Sequence, residues 1–364
     1  MLSLNKCVVG LLFLLTQVIV GVQLADKLAI GGHYLGVFNT FNANGAQFDF
    51  ATNIDISYQV NDTVSTVVQL QGGNGGGRLG FAGAEAVVTD IAVIIDNVYR
   101  STQLTLGSFD TPFGYETNLL TNNADATKSV FILNHLTYAA LAGPVGTLNT
   151  LGAKLDGSLG DYLDIVAVVS NGTAESAENS SNTFETLLQI SHQLDWQPIL
   201  KMQHLRLTAT VVQSNDALDD LTVANTSFGA DFSASLYEVM YDVYNDVRVL
   251  GHVGTLTYSD RDDSTQDVVD VSMIGITGRQ QKLQWGARLS MYNPTGSTVS
   301  STSSVIATPG LSSTASIAAD ITRFQLAISY EYATDTQFLV EFINDNYSSG
   351  TDISGIITAV NVAF

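Results

Sequence analysis

The chain has 364 residues and a formal net charge of −21, with 14 Lys and Arg against 35 Asp and Glu. That balance argues against nucleic acid as a partner, since phosphate binding needs clustered basic side chains, and an acidic surface attracts cations. Hydrophobic residues are 45% and charged residues 13% of the chain, the latter about half the share of a soluble domain, yet no apolar run beyond the N-terminus approaches the roughly 20 residues of a membrane helix.

The first unit is short. Lys6 precedes an almost wholly apolar stretch from Cys7 to Val20, and a mixed segment ends on Ala25. This pattern predicts a signal peptide over 1–25, leaving 26–364 as one domain. The other reading of the segment is an N-terminal strand or an anchor helix. The single cysteine, Cys7, falls inside it, so the remainder contains no disulfide.

The remaining chain alternates. Phe48, Phe50, Thr52, Ile54, Ile56, Tyr58 and Val60 share one phase, and Asp49, Ala51, Asn53, Asp55, Ser57 and Gln59 the other. A period of two is a strand with one oily and one wet face. Sixteen such segments follow in order: 27–38, 47–60, 63–71, 83–99, 102–110, 151–157, 161–170, 183–195, 203–213, 225–238, 245–258, 267–277, 281–292, 320–331, 336–345 and 353–364. Among the clearest is 281–292, where Leu283, Trp285, Ala287, Leu289 and Met291 oppose Lys282, Gln284, Arg288 and Ser290. In 320–331, Phe324, Leu326, Ile328 and Tyr330 oppose Arg323, Gln325, Ser329 and Glu331.

The predicted connections alternate between long (39–46, 72–82, 111–150, 171–182, 214–224, 259–266, 293–319, 346–352) and short (61–62, 100–101, 158–160, 196–202, 239–244, 278–280, 332–335). An even strand number with long loops at one end and short turns at the other is the signature of a transmembrane barrel. All five prolines fall in or beside the loops, as a continuous ladder requires. Tyr58, Tyr99, Tyr162, Trp196, Tyr237, Tyr241, Tyr244, Tyr332 and Phe364 lie near the short turns, where an interfacial girdle would sit. The fold expected is all-β: an antiparallel up-and-down transmembrane β-barrel of about 16 strands, with no plug domain.

Sites of chemistry are sparse. His33, His135, His192, His204 and His252 are scattered without metal-ligand spacing, and no G-x-S-x-G string occurs. The glycine run 72–77 lacks the Lys-Ser/Thr of a phosphate cradle, and Asp260-Arg261-Asp262-Asp263 lacks the Gly and Glu of an EF-hand. No enzyme, cofactor or metal is expected. The lumen-facing phase selects Asp49, Asn53, Asp55, Gln189, Gln193, Arg206, Asp231, Arg288, Arg323, Glu331 and Glu341 as pore-lining. Carboxylate rings favour cations, and opposed arginines set up a transverse field. The bland reading is a solvated wall with no filter.

The string Leu106-Gly107-Ser108-Phe109-Asp110-Thr111-Pro112-Phe113-Gly114-Tyr115-Glu116 resembles a stretch at the fifth strand of outer-membrane porins related to the phosphate-selective porins. Gly152-Ala153-Lys154-Leu155-Asp156-Gly157, Val169-Ser170-Asn171-Gly172-Thr173, Asn346-Tyr347 and the terminal Val360, Val362 and Phe364 are similar to later parts of that group. The resemblance implies a 16-stranded, trimeric diffusion pore in a Gram-negative outer membrane, with the third loop (111–150) folded into the lumen. In it Gly107, Phe109, Pro112, Phe113, Gly114 and Glu116 form the constriction-loop motif, and Phe364 is the signal to the barrel-assembly machinery. Partners are then membrane lipid, small hydrophilic solutes and cations. The chain departs from the group in its few, scattered basic residues, against a phosphate-specific role. The other functions open are a sugar- or organic-acid-selective channel, an outer-membrane lipase or protease, and an adhesive surface barrel with an occluded lumen.

Overall fold

The computed structural model describes residues 22–25, 27–42, 45–73, 87–110, 112–113, 130–132, 136–137, 149–170, 185–194, 204–214, 222–223, 226–227, 230–244, 246–260, 266–294, 319–350 and 352–363. The strands are β1 (Val22–Ala25), β2 (Leu28–Phe41), β3 (Gly45–Asn61), β4 (Val64–Gly73), β5 (Val87–Ile95), β6 (Thr102–Asp110), β7 (Asn149–Leu159), β8 (Leu163–Ser170), β9 (Glu185–Leu194) and β10 (His204–Ser214). After a small hairpin, β11 (Thr222–Val223) and β12 (Thr226–Ser227), come β13 (Ala230–Tyr244), β14 (Val247–Asp260), β15 (Gln266–Gln280), β16 (Leu283–Pro294), β17 (Ile321–Ala333), β18 (Thr336–Tyr347) and β19 (Asp352–Ala363).

Strands β2 to β10 and β13 to β19 each pair antiparallel with the next along the chain. The register of β19 on β2, from Gly355 opposite Phe41 to Ala363 opposite His33, closes the ring. All sixteen expected strands are present in a closed antiparallel barrel. Closure gives every wall strand two partners and leaves no edge, which is what a hydrocarbon environment demands of a sheet.

The alternation sorts side chains as the period of two requires. On β17, Phe324, Leu326, Ile328 and Tyr330 are 37–55% exposed on the outside, while Arg323, Gln325 and Ser329 are at most 3% exposed inside. The outward set repeats around the ring with Phe48, Ile91, Leu106, Leu155, Leu188, Val211, Val253, Ile274 and Phe342. A continuous apolar belt on strands of this length suits a bilayer.

Several boundaries differ from expectation. The segment expected as 225–238 is β13, which starts at Ala230 and continues to Tyr244. Alternation persists through Val239, Tyr241 and Val243, and Asp246, just before β14, takes φ 63°. Asn and Asp tolerate that left-handed geometry in tight turns. The expected turn 239–244 is therefore strand, and Tyr237 stands mid-wall on the outer face instead of in a girdle. The strand expected over 83–99 ends at Ile95, because 96–101 form the turn to β6. The connections 42–44, 261–265 and 348–351 are shorter than expected, since the strands beside them run on. The longest connections, 74–86, 111–148, 171–184, 215–229 and 295–320, still open at one end.

Val22–Ala25 pair with Leu28–Ile30 at the base of β2, so part of the expected leader 1–25 is laddered; residues 1–21 lie outside the described residues.

Gly107 on β6 illustrates how the wall tightens. Its φ is +128°, and a Cβ there would lie 2.1 Å from the Ile91 carbonyl oxygen. Only glycine accepts both conditions.

Candidate functional site

Three described pieces of the third connection lie against inward-facing side chains. Pro112 and Phe113 are buried next to the end of β6. Val130, Phe131 and Ile132 meet β16 and β18. The Ile132 N–H donates to Glu341 Oε2 at 2.7 Å, and Gln325 Nε2 donates to the other carboxylate oxygen. Arg288 Nε donates to Gln325 Oε1 at 2.6 Å, and its guanidinium carbon stands 4.1 Å from the Phe131 ring centroid. Glu341 and Gln325 are fully buried and Arg288 is 4% exposed. The chain Arg288–Gln325–Glu341–Ile132 is thus a clasp, closed on its open side by Phe131.

A second hold follows a few residues on. The Leu136 N–H donates to Ser290 Oγ at 3.3 Å, and Thr137 Oγ1 lies 2.6 Å from His252 Nε2. Gly286 faces the same loop: a Cβ there would come within 2.7 Å of Val130 Cγ1 and 2.8 Å of Phe131 Cζ. The absence of a side chain at 286 makes the seat. Residues 130–132 and 136–137 of the third loop therefore lie inside the barrel, on the wall formed by β14, β16, β17 and β18.

The inner face has two chemical zones. Toward the long-loop end, Val37, Phe41, Val168, Leu187, Phe232, Leu256, Ile343 and Ile357 face inward and join Phe113 and Leu136 in one buried cluster. Toward the short-turn end the same phase is charged and paired. Arg206 meets Asp164 at 3.3 Å, Arg248 meets Asp242 at 2.6 Å, and Arg279 meets Glu331 at 2.7 Å. Asp55 accepts from Gln69 Nε2 at 2.8 Å, and Asp96 from Gln103 Nε2 at 2.7 Å. At the long-loop end, beyond Ile343 and Ile357, Arg323 binds Asp345 through Nε and NH2 at 2.7 and 2.8 Å, the pair fully packed. Such a fork satisfies a guanidinium and a carboxylate together.

No family model and no curated protein matches the chain. Solved structures do. An in-vitro folded OmpT of Vibrio cholerae in trimer form superposes with TM-score 0.63 at 11% identity, covering 93% of this chain and 99% of that one. The anion-selective porin of Comamonas acidovorans gives TM-score 0.61 at 8% identity, over 93% and 99% of the two chains. The outer-membrane channel DcaP of Acinetobacter baumannii gives 0.58 at 11%, over 95% and 100%. The fold is that of outer-membrane porins.

Within this porin-like barrel, the residues selected by phase separate into groups. Glu341, Arg288 and Arg323 face inward but are buried: the first two hold the loop, and the third is tied to Asp345. Asn53 and Gln189 also face inward and are buried, Gln189 Nε2 donating to Thr210 Oγ1 at 3.1 Å. Asp55, Arg206, Glu331 and Gln193 stand on the half-exposed wall near the short turns, Gln193 beside His204 Nδ1 at 3.1 Å. The side chains of Asp49 and Asp231 lie outside the described residues, as do Gly114, Glu116 and Phe364; Phe109 and Phe113 are buried in the apolar cluster.

Sequence reasoning missed Gln325, Ser290, His252 and Asp345 as members of this site. The first two stood in the lumen phase of strands already recognised, and Asp345 shares the phase of Glu341. His252 has no metal-ligand spacing to mark it in the sequence, and its partner, Thr137, comes from a connection 115 positions away.

Proposed function

We propose that this chain is a passive outer-membrane channel for small hydrophilic solutes and ions, with a weak preference for cations. The observation that carries the reading is the clasped loop. Its described pieces rest on β14 and β16 to β18 and narrow the lumen from that side, while Asp55 on β3 and Asp156 on β7 stand inward on other strands of the ring. Carboxylates in a narrow pore favour cations, and the net charge of −21 has the same sign. Sixteen strands enclose enough space for water when only a loop is folded in.

Several finer points belong to the same reading. Residues 1–25, or a shorter stretch ending before β1, act as a signal peptide; Phe364 addresses the barrel-assembly machinery; three copies associate in the membrane. The strings around Phe109 and Lys154 support a relation to the porins near the phosphate-selective group. The scarcity of basic residues speaks against phosphate as the solute. No enzymatic step is proposed.

The test is conductance of the purified protein in planar bilayers under a salt gradient. Stepwise currents with a cation-favouring reversal potential are expected. A reversal potential favouring anions refutes the preference, and no steps at all refutes the channel. One observation favours a second reading, a surface barrel with an occluded lumen: the inward apolar cluster that includes Phe113 and Leu136. Silence in the bilayer is its signature.

A further inference from the structure

The strand-borne basic side chains that face the lumen are Lys154, Arg206, Arg248, Arg279, Arg288 and Arg323. Four of the arginines are cancelled by a carboxylate: Asp164, Asp242, Glu331 and Asp345 respectively for Arg206, Arg248, Arg279 and Arg323. Arg288 is committed to Gln325 and Phe131 in the clasp. Lys154 differs. It makes no ion pair among the described residues, and its ammonium lies 5.7 Å from the centroid of the Phe109 ring.

Its placement matters as much as its freedom. Lys154 sits on β7 opposite Thr105 and Val168 in register, both buried on the inner face. Leu151 and Leu155, in the other phase, are 44% and 43% exposed outside. Phe109 ends β6 at the root of the third loop and is itself 5% exposed. In the ring, β7 lies far round from the β16–β18 wall that takes the clasp. One side of the lumen therefore carries the described loop contacts, and the other presents an ammonium that has no ion pair among the described residues and stands over an aromatic ring. An ammonium held by a ring face keeps its charge and its N–H donors available.

We propose that Lys154 is a specificity-determining residue: a foothold for small anions such as chloride or a monocarboxylate at the constriction, which sets the ceiling on cation preference in an otherwise acidic channel. This rests on the channel reading above. A unit charge about 5 Å from a permeating ion in water at ~0.1 M salt changes its local concentration by roughly two- to fourfold. It acts in opposite senses on cation and anion, so the permeability ratio changes by roughly fivefold or more.

The experiment compares the parent protein with Lys154→Gln and Lys154→Met, reconstituted in planar bilayers under a potassium chloride gradient. Lys154→Met keeps most of the alkyl stem without the charge, so folding and charge are tested apart. Both variants should raise the potassium-to-chloride permeability ratio about fivefold or more. Lys282→Gln, on a turn where Lys282 Nζ donates to the Tyr332 carbonyl, should leave it unchanged. Conducting Lys154 variants with the parent's reversal potential would overturn the assignment. A parent that never conducts would instead defeat the channel reading, and the inference with it.

Discussion

Removing the carboxylate of Glu341 should loosen the third loop while the barrel stays closed. In the structure this side chain takes two donors on separate oxygens, the Ile132 N–H at 2.7 Å and Gln325 Nε2, with no solvent access. Hydrogen bonds to a charged acceptor contribute about 1.5–3 kcal/mol each, and stranded donors in a dry site carry their own penalty. Glu341→Ala therefore removes about 1.5–3 kcal/mol of anchoring at 130–132, since Gln325 is itself a wall residue and only the Ile132 bond ties the loop down. What remains is the long contact from Leu136 to Ser290 and the pairing of Thr137 with His252. A change of that size alters the docked-to-released ratio by roughly tenfold to a hundredfold. Glu341→Gln keeps one acceptor oxygen and should lie between. The assay is single-channel recording: the alanine variant should show larger mean current and frequent excursions above the parent level. Strand pairing in β18 needs only the backbone at 341, so the variant should still migrate as a folded barrel in unheated detergent gels. Parent-like conductance and noise in a folded Glu341→Ala protein would refute the idea that this clasp positions the constriction.

Other outcomes follow from the same contacts. Gly286→Val pushes a side chain into Val130 and Phe131 and should raise conductance in single-channel records without touching Glu341. Gly107→Ala puts a methyl group into the Ile91 carbonyl at a backbone angle that costs about 1–3 kcal/mol by itself; a urea titration should show a loss of about 3 kcal/mol or more. Asp345→Ala leaves Arg323 without its fork in a dry wall, so the same titration should register about 3–5 kcal/mol. Arg279→Gln breaks a pair whose arginine is about half exposed and should change stability by less than about 1 kcal/mol.

The barrel was readable because each strand has to present oil to one side and polar groups to the other, a constraint repeated in every segment and independent of partners. β6 was located residue for residue, and β17 within one or two. The end of β13 was misjudged although the signal was there: Val239, Tyr241 and Val243 keep the phase, and Asn245-Asp246 is a turn pair. The clasp was harder. The phase of Glu341 and Arg288 could be read, but not what they hold, because Ile132 and Glu341 are 209 positions apart. Nothing local in 130–137 announces a partner across the lumen. Burial was illegible for the same reason: inward phase does not distinguish a side chain washed by solvent from one lying under a docked loop.

The seam of the ring has a temporal meaning. β2 lies against β19, where Thr358 Oγ1 donates to the Phe38 carbonyl across 320 positions. During synthesis the first wall strand is finished long before its neighbour has been translated, and until then one flank of it can zip onto any stranger. A holding factor, or a scaffold that keeps the two flanks apart, has to bridge that interval, and shortening the polypeptide from its tail should yield aggregates in place of a smaller cylinder.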